Sequence, residues 1–179
     1  GFGVGEFSDM KALADWAQAP NLGIIQILPI NDTTANYTWT DSYPYAAISV
    51  YALHPQYLSI DSLEYSLPKN LVDEFNAKKK ELNKLDLIDY EKMISGKWKY
   101  IRAVFRENKD RILKDRNFKK FQKENEEWLY PYAAFCVQRD KYKTPNFNNW
   151  RTHKKYIAGK LTPMFAAKHK DYSEAMLHC

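Results

Sequence analysis

The stretch Ile24-Ile25-Gln26-Ile27-Leu28-Pro29-Ile30, followed by Asn31-Asp32-Thr33-Thr34-Ala35-Asn36-Tyr37-Thr38-Trp39-Thr40-Asp41-Ser42-Tyr43-Pro44-Tyr45, decides the reading of the fold. A nearly continuous apolar run, preceded by Gly23, feeds a polar and aromatic loop. Such a run predicts a strand buried on both faces, as in a parallel sheet covered by helices. Pro29 has no N–H to give a ladder, so pairing is expected to end about there. The loop then leaves the carboxyl end of a buried parallel strand, where α/β barrels and open α/β sheets place ligands. Trp39, Tyr37, Tyr43 and Tyr45 lie in it beside Asp32 and Asp41. Flat rings next to carboxylates and hydroxyls fit a sugar, which has apolar C–H faces and a polar rim.

Upstream, Ser8 is expected to cap a helix from Asp9, with Met10, Leu13, Ala14 and Ala17 on one face and Pro20 as its stop. Gly1, Gly3 and Gly5 precede that helix, but no strand precedes them, so they are not read as a phosphate loop. Downstream, Ala46 to Leu53 fits a short helix or a strand, and His54-Pro55 ends it. Tyr57 to Leu63 alternates as a short strand. Helical spacing then predicts Pro68 to Asn83, Asp89 to Arg111, Lys114 to Asn125 and Trp128 to Tyr142, with Pro131 confined to a first turn. A short helix is expected after Pro163, and another begins at Tyr172.

The 179 residues are 45% apolar, a globular composition. The net charge of +5 is local: Asn76 to Asn125 holds 16 Lys and Arg against 8 Asp and Glu, leaving the remainder at −3. Trp98, Tyr100, Phe105 and Phe118 interleave with those cations, which is one pattern of nucleic-acid binding. The aromatics fall at helical core positions and acids interrupt the cations, so a solvated outer face is the preferred reading. Cys136 and Cys179 make no disulfide framework, and His54, His153, His169 and His178 have no ligand spacing, so no metal is assigned. His54 reads as structural. No apolar run approaches the roughly 20 residues of a membrane span.

Several motifs, in order, resemble the 4-α-glucanotransferase family (amylomaltase, or disproportionating enzyme). They are Gly3-Val4-Gly5-Glu6-Phe7-Ser8-Asp9, Trp16-Ala17, Gln26-Ile27-Leu28-Pro29-Ile30-Asn31 and Asp41-Ser42-Tyr43-Pro44-Tyr45. Asn31-Asp32-Thr33-Thr34 with Trp39 to Tyr45 resembles the branch of large, multi-module enzymes, and Trp128-Leu129-Tyr130-Pro131-Tyr132 resembles that branch too.

The resemblance implies an α/β fold, a (β/α)8 TIM barrel. A complete barrel takes roughly 250 residues, so the expectation is an N-terminal part of one with a mostly helical insertion. Residues 1–67 would be the first part of the barrel, 68–142 the helical insertion and 143–179 the return toward the barrel. The implied activity is retaining transfer of α-1,4-glucan segments to glucan or sugar acceptors, in the cytoplasm, without cofactor. Within a cytoplasmic enzyme the sequons Asn31-Asp32-Thr33 and Asn36-Tyr37-Thr38 are chance.

By the family's pattern Tyr45 lies against the sugar at the cleavage point. Asp41 accepts sugar hydroxyls or caps the segment after it. Trp39 and Asp32 complete the substrate-binding set. Retaining transfer needs two carboxyls about 5–5.5 Å apart. Nothing in the spacing of Asp32 and Asp41 enforces that, and no stretch matches the family's nucleophile or acid/base motifs. No catalytic residue is therefore assigned, and the chain by itself is expected to be inactive. The partner is an α-1,4-glucan or maltooligosaccharide, with no nucleic acid or membrane. A non-catalytic carbohydrate-binding module and a basic helical interaction protein are the other classes the pattern permits.

Overall fold

The computed structural model describes residues 1–179, the side chain of Ala158 excepted. Among the described residues six α-helices carry the fold: α1 Phe7–Gln18, α2 Lys69–Leu82, α3 Tyr90–Lys114, α4 Arg116–Tyr142, α5 Ala158–Leu161 and α6 Tyr172–His178. Short 3₁₀ turns lie at Trp39–Ser42, Pro55–Tyr57, Ile60–Ser62, Phe147–Asn149 and Thr162–Phe165. Two compact units are present, Gly1–Asn108 and Lys109–Cys179.

The expected α/β barrel is not what this chain forms. Among the described residues the only β pairing is one antiparallel bridge, Asn31 to Leu53. Ile24 to Ile30 belongs to no strand, and Ile24 is 89% and Leu28 60% exposed. The physical reason lies in what a parallel strand requires. Its N–H and C=O groups are satisfied only by neighbouring strands, and no second strand is found among the described residues. Tyr57 to Leu63, expected as a strand, forms the two 3₁₀ turns at Pro55–Tyr57 and Ile60–Ser62. The TIM barrel, and with it the placement of this chain as a barrel's N-terminal part, is therefore corrected: the family motifs sit on a helical chain.

The first unit is built on α3. Its buried residues Tyr90, Met93, Ile94, Lys97, Tyr100, Val104, Phe105 and Asn108 recur at helical spacing and form one inward stripe. Phe2 stacks on Phe75 of α2, with ring centroids 5.4 Å apart, and meets Tyr100 edge-on at 5.8 Å. Each such fully buried ring or aliphatic side chain contributes on the order of 1.5–3 kcal/mol. Gly96 makes the approach possible, since a Cβ there would lie 2.9 Å from the Phe2 ring. The glycine-rich start is clipped to the end of α2: the Gly3 N–H donates to Asn83 Oδ1 and Asn83 Nδ2 donates to the Gly1 carbonyl, both at 2.8 Å. Gly3 holds φ +76°, a conformation that a side chain would strain.

Helix α1 begins two residues before the expected start. Its cap is Glu6, whose N–H donates to Asp9 Oδ2 at 2.7 Å, and Ser8 lies inside the helix. In the second unit, α4 runs through the break expected near Asn125 and takes Pro131 into its interior. Pro131 withholds the N–H that the Glu127 carbonyl would accept. Glu127 is exposed, so solvent can serve that carbonyl, and the buried stripe Leu129, Ala133, Cys136 and Val137 carries the helix onward. Helices α5 and α6 pack on α4, and the Tyr130 and Phe165 rings stack at 4.0 Å. No helix among the described residues is long and apolar enough to cross a membrane.

Candidate functional site

The loop after Ile30 is held by its own carboxylates. Asp41 is buried, and its Oδ2 accepts the backbone N–H groups of Ala35, Asn36 and Tyr37 at 2.9, 2.8 and 2.7 Å. The Asp41 carbonyl accepts from Thr33 Oγ1. Asp32 is 1% exposed and its Oδ1 accepts from the Thr34 N–H at 2.9 Å. Short polar side chains that bond nearby backbone define tight loops of this kind. Tyr37 takes the left-handed conformation at φ 61°, and its ring meets Trp98 edge-on at 6.4 Å.

Backbone bonds then tie the loop to the segment behind it. The Asp32 N–H donates to the Ala52 carbonyl at 2.9 Å, and the Ile48 N–H donates to the Asp32 carbonyl at 2.8 Å. His54 closes the segment from below. It is 1% exposed, and its Nδ1 accepts from the Gln56 N–H at 3.1 Å. A neutral ring accepting at Nδ1 carries its proton on Nε2, which lies 3.2 Å from the Tyr90 hydroxyl.

Three of the aromatic members, Trp39, Tyr43 and Tyr45, point the other way. Trp39 is 70%, Tyr45 63% and Tyr43 60% exposed. The Tyr43 and Tyr45 rings lie 5.6 Å apart, tilted by 56°. Trp39 opens the 3₁₀ turn whose third residue is Asp41, and its N–H donates to Glu91 Oε1 at 3.2 Å. The four residues singled out in the sequence thus fall into two kinds. Asp32 and Asp41 are buried with their acceptors turned onto the loop backbone. Trp39 and Tyr45 present ring surface to solvent. That arrangement can offer apolar faces to a ligand while the carboxylates fix the backbone between them.

A feature that the sequence pattern does not announce lies in the second unit. Phe135 and Gln138 of α4 and Phe147, Trp150 and Tyr156 of the following segment line a pocket of about 370 Å³. The spacing Phe147-x-x-Trp150 after a helix end is the one signal of it in the chain. Among the described residues no group of three or more His, Cys, Asp or Glu could hold a metal ion.

Comparison with known proteins identifies relatives along the whole chain. Residues 1–179 match a sequence family described as 4-alpha-glucanotransferase. The 4-alpha-glucanotransferase DPE2 of Oryza sativa subsp. japonica is 43% identical over 176 residues, which are 98% of this chain and 18% of that protein. The 4-alpha-glucanotransferase of Chlamydia muridarum is 36% identical over 155 residues, covering 84% of this chain and 28% of the relative. That of Chlamydia pneumoniae is 31% identical over 152 residues, covering 83% and 27%. The chain therefore spans less than a third of the length of each of these relatives. No solved structure matches it.

Proposed function

The chain belongs to the 4-alpha-glucanotransferase family, and from that premise we propose that it serves a transferase moving α-1,4-glucan segments to glucan or sugar acceptors. The reaction proposed is a retaining one, through a covalent glycosyl-enzyme intermediate. Within it, the loop ending at Tyr45 is a wall for the glucan. Tyr45 and Trp39 offer ring faces to the C–H surface of the sugar, and Asp41 and Asp32 keep the loop in shape beneath them. Residues 68–142 are proposed as a mostly helical insertion in the catalytic part. No residue of this chain is proposed to react with the glycosidic bond.

The observation that carries the reading is the exposed ring cluster on a loop whose backbone is pinned by a buried carboxylate, set in a chain of this family. Titration of the 179-residue chain with maltotriose tests it. Tyr45→Ala is expected to weaken the loop's share of binding by fivefold or more, with the fold unchanged by circular dichroism. Unaltered binding in that variant would sink the loop assignment. The chain alone is expected to give no maltotriose disproportionation. Turnover abolished by Asp32→Asn or Asp41→Asn would show a catalytic pair after all.

A further inference from the structure

The second unit gathers cations around a hollow. Residues 109–179 hold 16 Lys and Arg against 8 Asp and Glu. Between the last turn of α4 and the chain after it, Lys141, Arg151, Lys160, His169, Lys170 and Asp171 line a pocket of about 400 Å³. An adjoining pocket of about 420 Å³ shares Lys160 with it and adds Lys154 and Lys155. Both volumes fall in the range of small-molecule sites. Lys141 has a carboxylate beside it, Asp171 Oδ2 at 4.0 Å. Among the described residues no ion pair engages Arg151, Lys154, Lys155, Lys160 or Lys170. All five are exposed, so an occupant can reach them.

The surroundings specify the chemistry of an occupant. A concavity lined by one sign of charge focuses its field and concentrates the opposite ion. Met164, 3% exposed, gives the hollow an apolar backing, and low-dielectric walls strengthen that focusing. Neutral donors stand among the cations. His169 Nδ1 accepts from the Asp171 N–H at 3.1 Å, so the neutral ring carries its proton on Nε2 and keeps it as a donor. The Tyr142 and Thr152 hydroxyls, both on the lining, lie 3.3 Å apart. Whichever of them donates, the other keeps its own O–H for a ligand. The Thr152 hydroxyl, the Lys141 ammonium and the backbone of Thr152 and Arg151 hold the Tyr142 phenol below its ordinary value. Negative charge at this rim is thus already favoured.

We propose that this hollow is a phosphate site, taking inorganic phosphate or the phosphate end of a small phosphomonoester. A phosphomonoester carries about −1.5 to −2 charge at neutral pH, with three strong acceptor oxygens. That matches several cations and hydroxyls converging from different segments, whereas a carboxylate brings one charge in one plane. Arg151 can grip two phosphate oxygens through its planar fork, while Lys160 and Lys170 act as mobile point charges. A hollow of this size takes one phosphate with a small appendage, not the continuous backbone of a nucleic acid. The assignment goes beyond glucan transfer and is independent of the Tyr45 loop, since every residue in it lies in the second unit.

The test is calorimetric titration of the 179-residue chain with inorganic phosphate and with glycerol 3-phosphate, at fixed ionic strength because exposed charges are screened by salt. Saturable binding is expected for at least one of them and none for glycerol. Tighter binding of the ester identifies a phosphomonoester as the ligand; equal or tighter binding of inorganic phosphate identifies the free ion. Arg151→Gln with Lys170→Gln is expected to weaken binding tenfold or more, with the far-ultraviolet spectrum unchanged, since both side chains are exposed. Lys119→Gln with Lys123→Gln, exposed on α4 and outside the pocket, removes the same charge and is expected to change binding less than twofold. No saturable binding of either phosphate, or equal weakening in the two double variants, overturns the proposal. A single-stranded oligonucleotide that binds where both small phosphates fail assigns the cations to a polyanion surface and overturns it as well.

Discussion

Lys97 Nζ lies 2.8 Å from Glu6 Oε1, with the lysine side chain wholly buried and the glutamate side chain 8% exposed. The ammonium also donates to the Leu58 carbonyl at 2.8 Å. One charge comes from the cap of α1, the other from the middle of α3, and the acceptor from the turn between Pro55–Tyr57 and Ile60–Ser62. Burial pulls the Lys97 ammonium below the ordinary lysine value, and the Glu6 carboxylate opposes that pull. The pair thus joins three segments of the first unit at one point.

Breaking that pair from one side leaves a buried charge without its partner, which costs about 3–5 kcal/mol. Lys97→Ala is expected to lower unfolding stability by that order. The double variant Glu6→Gln with Lys97→Met removes both charges and is expected to lose much less. Urea denaturation of the two proteins gives the comparison, and equal losses would show that the pair is not the joint.

The three N–H groups held by Asp41 make the second prediction. Asp41→Ala strips their shared acceptor, and leaving buried donors unmade costs on the order of 1–3 kcal/mol each when water cannot replace it. The loop is expected to loosen before the unit unfolds. Hydrogen exchange at Ala35, Asn36 and Tyr37 should accelerate in the variant while exchange in α3 is unchanged. Protection equal to wild type at all three amides would contradict the geometry.

Asp140 supplies a pH dependence. Burial alone pushes its carboxyl upward, but the hydrogen bond from His178 and the Arg139 guanidinium outweigh it and hold it well below the ordinary 3.8. A carboxyl depressed in the folded state stabilises above its unfolded value, and that stability is lost as pH falls through the folded value. The second unit is therefore expected to weaken as pH drops below about 3.8, and Asp140→Asn to flatten that fall. Melting curves between neutral and strongly acid pH, followed for both proteins, check the sign. A variant as acid-sensitive as wild type would place the origin elsewhere.

The exposed run makes a prediction about surface. Ile24 is 89% exposed and Leu28 60%, so neither belongs to the buried core of this chain. Ile24→Ser with Leu28→Ser is expected to change stability by no more than about 0.5 kcal/mol per site, as for surface positions generally. Contiguous exposed apolar surface favours association, so the same variant should bind less hydrophobic dye. A stability loss of several kcal/mol would mean the run is packed.

The helices were legible because their signal is local. Leu71, Phe75 and Leu82 locate α2, and Met93, Ile94, Trp98, Ile101 and Phe105 locate α3 to within a few residues. Boundaries were less so: Glu6 displaced Ser8 as the α1 cap because Asp9 reaches back to its N–H. Pro131 hid the continuity of α4, since an exposed preceding turn tolerates a missing hydrogen bond that a buried one would not. At the candidate site, composition announced carboxylates and rings side by side, but could not say that Asp32 and Asp41 turn inward and Trp39 and Tyr45 outward.

By itself the sequence determined the helical stripes and the family, because both reside in the order and spacing of side chains. Whether Ile24 to Ile30 becomes a strand was never a local property, since a parallel strand exists only where a neighbour accepts its backbone hydrogen bonds. Only the tertiary structure decided that, as it decided the burial of Asp41 beneath three amides and the gathering of Phe135, Phe147 and Trp150 beside one pocket. Each depends on how the chain turns back on itself in three dimensions, which the order of its residues does not state.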